Sequence, residues 1–189
     1  MKVFGAKIIK TEKNTKEIGL FFLILLSENV KSLMRTILLL VGKTTNQHFT
    51  ACIDDYVSRI GHYMPFDLLT IPELKNTKSL SQTLQKEREG ELILRQLQDS
   101  DHVVLLDEHG REYRSIEFAA WLQKRSHTAR RLIFVVGGPY GFSDAVYKRA
   151  NEKISLSQMT FSHQMVRLIF TEQIYRACTI IKGEPYHHE

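Results

Sequence analysis

Cysteine is scarce in this chain, and the two that are present form neither a metal-binding nor a disulfide pattern. Cys52 and Cys178 are the only cysteines among 189 residues, and neither belongs to a CxxC pair or has a partner set of histidines. The sequence therefore predicts no metal site. We expect both thiols to be reduced and structural, as in a cytoplasmic protein.

Long apolar runs are also lacking. The run LFFLILL at residues 20–26 follows several lysines and superficially resembles the hydrophobic part of a signal peptide. It is far shorter than the roughly 18 residues that span a bilayer as a helix, and no small-residue cleavage site follows it. We predict no membrane partner. Residues 1–33 are expected to be a dispensable extension, with a helix or strand packed on the domain as the alternative, and residues 34–189 to be one domain.

Common signatures of other enzyme classes are missing. No GxSxG pattern occurs, which argues against a serine hydrolase. The segment GGPYGFS at residues 137–143 does not fit the GxGxxG spacing of dinucleotide-binding folds and lacks the GK[ST] ending of a P-loop. Taken alone, its glycines are equally compatible with a tight turn that binds no ligand.

The net charge of +5 is weak evidence for nucleic-acid binding, because residues 1–33 carry six lysines and only three glutamates. Local charge is more informative. Four basic residues surround His127 and can neutralise several phosphates, which predicts an RNA-binding patch of Lys124, Arg125, Arg130 and Arg131. A solvated helix end with its loop is the alternative.

Apolar runs alternate with helical patterns along the chain. The predicted strands are residues 35–43, 66–71, 103–110 and 132–138 and a short one around 154–156. The predicted helices are residues 47–63, 79–97, 115–124 and 144–150 and a long last helix that His163 begins. Continuous apolar strands that alternate with helices predict an α/β fold with a mostly parallel sheet covered on both faces. Ligands of such sheets bind beyond the carboxyl ends of the strands.

Five motifs in the second half of the chain occur in a fixed order. They are LLDEHG, VVGGPYG, SLSQMTFSHQMVRL, EQIYRA and the ending EPYHH. From Met34 to its end, the sequence resembles the ribosomal large-subunit pseudouridine N3-methyltransferases, a family of small SPOUT enzymes. One departure is Gln158, which stands where many relatives carry lysine.

The resemblance implies a fold, a methyl donor and a substrate. It implies a C-terminal trefoil knot, a homodimer, and methylation of N3 of a pseudouridine in 23S rRNA on the ribosome. It also implies that S-adenosylmethionine lies in a cleft between three loops. In this sequence those loops contain Leu106, Gly138 and the segment Ser157, Gln158, Met159, Thr160, Phe161 and Ser162.

Methyl transfer to a ring nitrogen requires alignment of donor and acceptor and removal of a proton. The candidates by side-chain type are His163, Arg176, Tyr186 and His187, and His188 is a candidate for stacking on RNA bases. His163 is alternatively a helix-capping residue. Arg176 lies one turn after Glu172, so the two form either a structural ion pair or an RNA-binding group that Glu172 orients.

Two other functions remain open from the sequence. One is methylation of tRNA by an enzyme of the same superfamily, and the other is a ribosome-binding protein without catalytic activity. The apolar last helix is compatible with either a dimer interface or a buried position in a monomer.

Overall fold

The computed structural model describes residues 34–187, in which five strands and five helices alternate. The strands are β1 (Arg35–Val41), β2 (Phe66–Ile71), β3 (His102–Arg111), β4 (Arg131–Val136) and β5 (Glu152–Ile154). The helices are α1 (Gln47–Ile60), α2 (Gln82–Leu94), α3 (Ser115–Ser126), α4 (Asp144–Arg149) and α5 (Met165–Lys182). A short 3-10 turn, Thr77–Ser79, precedes α2.

The strands form one parallel sheet in the order β2-β1-β4-β3-β5. Alternate residues of β1 point to opposite faces. Leu38 and Leu40 join a core with side chains of α1, α3 and α5, whereas Ile37 and Leu39 join a second core with α2 and α4. The continuous apolar strands thus have helices on both faces, and the predicted α/β fold is confirmed.

Several predicted boundaries are wrong by one to three residues. The helix predicted from Ser79 begins at Gln82, because the Ser81 hydroxyl caps it by accepting the Leu84 N–H at 3.2 Å. Ser115 does not cap α3. Arg114 is its N-cap, and the Glu117 carboxylate accepts the Arg114 N–H at 3.1 Å. Arg114 and Glu117 thus form a capping box at the start of α3.

The two cysteines differ in environment. Cys178 of α5 is buried, and this burial raises the pKa of its thiol to about 12. Cys52 was expected to be structural, but it is exposed on α1, so that expectation is wrong for this residue. Both thiols are free.

Neither a membrane span nor a metal cluster is found in residues 34–187. No helix there is long and apolar enough to cross a bilayer. The same residues contain no group of three or more histidine, cysteine, aspartate or glutamate side chains placed to hold a metal ion. The predicted extension, residues 1–33, lies outside the described residues.

Candidate functional site

A cleft of about 680 Å³ lies at the carboxyl edge of the sheet. Three segments form most of it: the end of β3, the glycine loop after β4, and the loop after β5. Because β3 lies between β4 and β5 and all three are parallel, their carboxyl ends meet at one edge. The order of the strands therefore brings together segments that are far apart in the sequence.

Seven of the eight predicted cofactor-binding residues line this cleft: Leu106, Gly138, Ser157, Met159, Thr160, Phe161 and Ser162. Gln158 is exposed and does not line it. Met159 is 77% exposed, so its side chain lies outside the core. Phe161 is half-buried in the wall of the cleft.

The glycine loop after β4 brings the backbone of Gly137, Gly138 and Gly141 to the lining of the cleft. The Gly141 N–H donates to the Gly138 carbonyl at 3.2 Å, and Gly141 has a φ of +78°, which favours glycine. At Gly138 an added Cβ would overlap the carboxyl group of Glu89 and lie 2.9 Å from its Cδ. Glycine is therefore favoured at these two positions for different reasons, one conformational and the other the contact with Glu89.

Acidic side chains of β3 line the cleft beside the glycine loop. The Tyr147 hydroxyl donates to Asp107 Oδ2 at 2.5 Å, and burial together with this bond raises the pKa of the Tyr147 phenol. The Thr160 hydroxyl donates to Glu108 Oε2 at 3.3 Å, which links β3 to the loop after β5. Asp107, Glu108 and Tyr147 were not predicted as site residues. The position of Asp107 and Glu108 at a strand end was a usable signal, but nothing in the sequence marked Tyr147.

Two side chains of the last segment fix the loop that follows β1. Arg167 is fully buried and donates to the Val41 carbonyl at 2.6 Å and the Gly42 carbonyl at 3.0 Å. Burial lowers the pKa of its guanidinium. Gln164 Oε1 accepts the backbone N–H groups of Thr45 and Asn46 at 3.1 and 3.2 Å. These bonds hold the start of α5 against the carboxyl edge of the sheet.

His163 lies at the mouth of the cleft, exposed and two residues before α5. The prediction that it begins the helix is wrong, because α5 starts at Met165. His163 is not the N-cap either. The neighbouring Ser162 hydroxyl accepts the Met165 N–H at 3.2 Å, so His163 has no capping role.

The other candidate catalytic residues form a separate cluster on α5 and the tail that follows it. Arg176 donates through Nε and Nη2 to Glu172 Oε1, at 3.0 and 2.6 Å, so the predicted ion pair is present. The Tyr186 hydroxyl donates to the same oxygen at 3.2 Å, and the Arg176 guanidinium lies 4.9 Å from the centroid of the Tyr186 ring. His187 Nδ1 is 3.5 Å from Arg176 Nη1. Burial and a hydrogen bond with Tyr56 raise the pKa of the Tyr186 phenol.

The tail folds back along α1 and α5. Gly183 ends α5 with a φ of +70°, and the Tyr63 hydroxyl then donates to Glu184 Oε2 at 2.5 Å. Tyr186 packs edge-on against Tyr175, with ring centroids 4.8 Å apart. The cluster of Arg176, Tyr186 and His187 does not line the cleft. The candidate His188 lies outside the described residues.

The predicted basic patch lies at the opposite edge of the sheet. Arg131 begins β4 and Gly138 follows its end, a separation of about 20 Å along the strand. Arg131 pairs with the buried Asp101 at 3.3 Å, and Arg125 pairs with Glu152. Two of the four predicted phosphate-binding side chains are therefore engaged with carboxylates. The other two, Lys124 and Arg130, are exposed.

Glu152 is the centre of a polar cluster at that edge. Its carboxylate accepts hydrogen bonds from His102 Nε2 at 2.7 Å and Trp121 Nε1 at 3.0 Å, besides the Arg125 guanidinium. Burial opposes ionisation, but the bonds from Trp121 and His102 and the charge of Arg125 outweigh it, so the pKa of Glu152 is lowered. The cluster holds α3 to β5.

Comparison with known proteins identifies the family. Residues 34–187 match the model of the family described as "Predicted SPOUT methyltransferase". A protein of Bacteroides thetaiotaomicron named ribosomal RNA large subunit methyltransferase H is 62% identical over 157 residues, which cover 82% of this chain and 100% of the relative. Proteins of the same name from Christiangramia forsetii and Flavobacterium psychrophilum are 59% and 55% identical over 97% and 98% of their lengths, and over 80% of this chain. The family match over residues 34–187 and the identity over nearly the full length of these relatives show that this chain belongs to the SPOUT methyltransferase family.

Proposed function

We propose that this protein transfers a methyl group from S-adenosylmethionine to N3 of a pseudouridine in the RNA of the large ribosomal subunit. The observation that carries the proposal is the meeting of three loops, after β3, β4 and β5, at one cleft. The relatives' printed name, ribosomal RNA large subunit methyltransferase H, supports the substrate class. The resemblance of the five ordered motifs supports pseudouridine as the target.

The lining of the cleft fits S-adenosylmethionine. The volume of about 680 Å³ lies within the range of small-molecule sites. Leu106, Leu156 and Phe161 provide apolar walls, and the Gly137–Gly138 backbone can bond to the polar edge of an adenine. Asp107 provides negative charge near a donor that carries a sulfonium cation. When bound, the sulfonium supplies the reactive methyl group.

His163 acts on the acceptor in this proposal. The N3–H of pseudouridine is weakly acidic, and methylation requires that this proton leaves the nitrogen. The imidazole at the cleft mouth accepts the proton at its free ring nitrogen. Tyr186 is unsuited to that role because its pKa is raised, so the phenol stays protonated and serves as a hydrogen-bonding or stacking group.

The cluster of Arg176, Tyr186 and His187 completes the cleft of a second subunit in a homodimer. This part of the proposal rests on the position of the cluster on the α1 and α5 side, outside the cleft of its own chain. Arg176, already oriented by Glu172, then meets an RNA phosphate or the developing negative charge on the base. Tyr186, His187 and His188 stack on splayed-out bases.

The exposed pair Lys124 and Arg130 binds RNA phosphates in this proposal, and Arg125 and Arg131 add positive charge behind them. Residues 34–189 are the catalytic domain, since the family match begins at Met34. A protein that starts at Met34 is therefore expected to methylate its substrate at a rate within about twofold of the full chain, a difference too small to reflect loss of a catalytic group.

The test is methylation of ribosomes from a strain that lacks this activity, with radiolabelled S-adenosylmethionine and separation of the RNA species afterwards. We expect label in the RNA of the large subunit. Label in tRNA instead would show that the substrate assignment is wrong. Binding to ribosomes without any transfer would favour a ribosome-binding protein.

A further inference from the structure

Glu89 of α2 is a buried carboxyl group directly behind the glycine loop of the cleft. The residue is 4% exposed, and its Oε1 accepts a hydrogen bond from Gln85 Nε2 at 2.8 Å. Oε2 makes no hydrogen bond within the part of the chain that the structure describes. The three atoms that an added Cβ at Gly138 would approach most closely all belong to this carboxyl group.

A buried carboxyl oxygen without a partner is costly and calls for an explanation. Burial raises the pKa of Glu89 and the charge of Glu73 adds to the rise, whereas the hydrogen bond from Gln85 opposes it. A glutamine side chain has nearly the same shape as this side chain and keeps one oxygen that can accept the Gln85 N–H. The carboxyl group therefore fills the space behind Gly138, where the glycine loop has no side chain of its own.

The position of Glu89 on α2 separates it from the residues that face the cleft directly. Gln82 and Lys86 lie seven and three residues earlier on the same helix face, and both line the cleft. Glu89 does not line it. Glu89 can therefore affect a bound molecule only indirectly, through the backbone of Gly138.

We propose that Glu89 is a positioning residue for the methyl donor. Its carboxyl group packs behind Gly138 and holds the glycine loop in the conformation that binds the donor. The inference rests on the proposed function, because it assigns the cleft to a methyl donor. It concerns the packing of the side chain and its hydrogen bond with Gln85. Neither direct contact with the donor nor a negative charge is required.

The experiment measures the affinity of the full chain for S-adenosylmethionine and S-adenosylhomocysteine by calorimetry. Glu89→Ala removes the carboxyl group behind Gly138 and is expected to lower the affinity for both ligands about tenfold or more. It is also expected to raise KM for the donor more than it lowers kcat. Glu89→Gln keeps the shape of the side chain and an acceptor for the Gln85 N–H, and its affinities are expected to stay within about threefold of those of the unmodified protein. The matched control is Ile93→Ala, one turn further on the same helix and buried in the second core. It is expected to lower the melting temperature and leave both affinities within about twofold.

A double-mutant cycle tests the contact itself. Gly138→Ala is expected to weaken donor binding about tenfold in the unmodified protein, because the new Cβ meets the Glu89 carboxyl group. With Glu89→Ala present the space is free, so Gly138→Ala is expected to have no further effect. Independent effects of the two substitutions would overturn the proposal.

Two further outcomes are decisive. If Glu89→Gln loses affinity as much as Glu89→Ala, and does so for the sulfonium ligand alone, the charge acts on the donor directly and the bracing role is wrong. If the unmodified protein binds neither ligand, the assignment of the cleft to the methyl donor fails and the inference fails with it. Unchanged affinity in Glu89→Ala, with the unmodified protein binding normally, overturns the inference alone.

Discussion

His163 differs from the other catalytic candidates because it lines the cleft and they do not. We predict that His163→Ala lowers kcat about 10²- to 10⁴-fold, the usual contribution of a general base, and leaves the affinity for S-adenosylhomocysteine unchanged. The control is His62→Ala, an exposed histidine that does not line the cleft. If the His163 variant is about as active as the control, His163 takes no part in catalysis.

Glu152 provides a prediction about pH and stability. Its pKa is lowered in the folded protein, so its ionised form stabilises the fold above the ordinary value of 4.5, and this contribution is lost as the pH falls through the folded-state pKa. Glu152→Gln is therefore expected to lower the free energy of unfolding by about 2 kcal/mol at pH 7, and by progressively less below pH 4.5.

Urea unfolding at several pH values measures that difference. Glu112→Gln, at an exposed carboxylate, is the control and is expected to change stability by less than about 0.5 kcal/mol. A destabilisation by Glu152→Gln that is the same at pH 3.5 and pH 7 would contradict the assignment of the effect to the ionised carboxylate.

Most secondary-structure elements could be predicted from the sequence. The errors lie at the ends of elements, where side-chain hydrogen bonds determine the first or last residue. The strand at residues 66–71 was predicted with its observed limits, because an apolar run there ends at Pro72. The start of α5 was misplaced because the Ser162 hydroxyl, rather than His163, bonds to the first helical N–H. Hydrophobic periodicity does not distinguish between neighbouring polar residues, so such ends are decided by contacts that the sequence does not reveal.

The attachment of α5 to β1 depends on Arg167. We predict that Arg167→Lys lowers the free energy of unfolding by about 2 kcal/mol, because an ammonium group cannot reproduce the guanidinium fork that bonds to both the Val41 and Gly42 carbonyls. Chemical denaturation gives the measurement. Arg95→Lys, at a side chain that is 70% exposed, serves as the control and should change little. Equal stability of the two variants would show that the buried bonds do not fasten the helix.

At the scale of the whole molecule, the family resemblance predicted the cleft and the order of its loops, whereas the placement of charged groups could not be read from the sequence. Arg125 and Arg131 were predicted from charge density, but their carboxylate partners Glu152 and Asp101 lie 27 and 30 residues away in the chain. Glu89 carried no sequence signal, because a glutamate in a charged helix is usually exposed. The trefoil knot stays a prediction of the resemblance.

The C-terminal tail gives a prediction for the assembled protein. Deletion of the residues after Glu184 is expected to abolish methylation, because Tyr186 and His187 are removed, and to leave the affinity for S-adenosylmethionine within a few-fold, because the cleft is unchanged. The comparison requires calorimetry and a methylation assay on the same preparation. Normal activity of the truncated protein would refute a role of the tail.

A mixing experiment separates action within a subunit from action across a dimer. The truncated chain and a His163→Ala chain are each expected to be inactive, and mixed dimers are expected to regain activity if the tail of one subunit serves the cleft of the other. Mass spectrometry confirms that mixed dimers have formed. If they have no activity, the tail either acts within its own subunit or takes no part in the site.

The central claim is that this chain methylates N3 of a pseudouridine in large-subunit ribosomal RNA. Its most direct test is mass spectrometry of nucleosides from large-subunit RNA that has been incubated, within ribosomes lacking the modification, with the protein and S-adenosylmethionine. We expect 3-methylpseudouridine at one position, and none when the His163→Ala variant replaces the unmodified protein. A methyl group on another nucleoside, or only on tRNA, would contradict it.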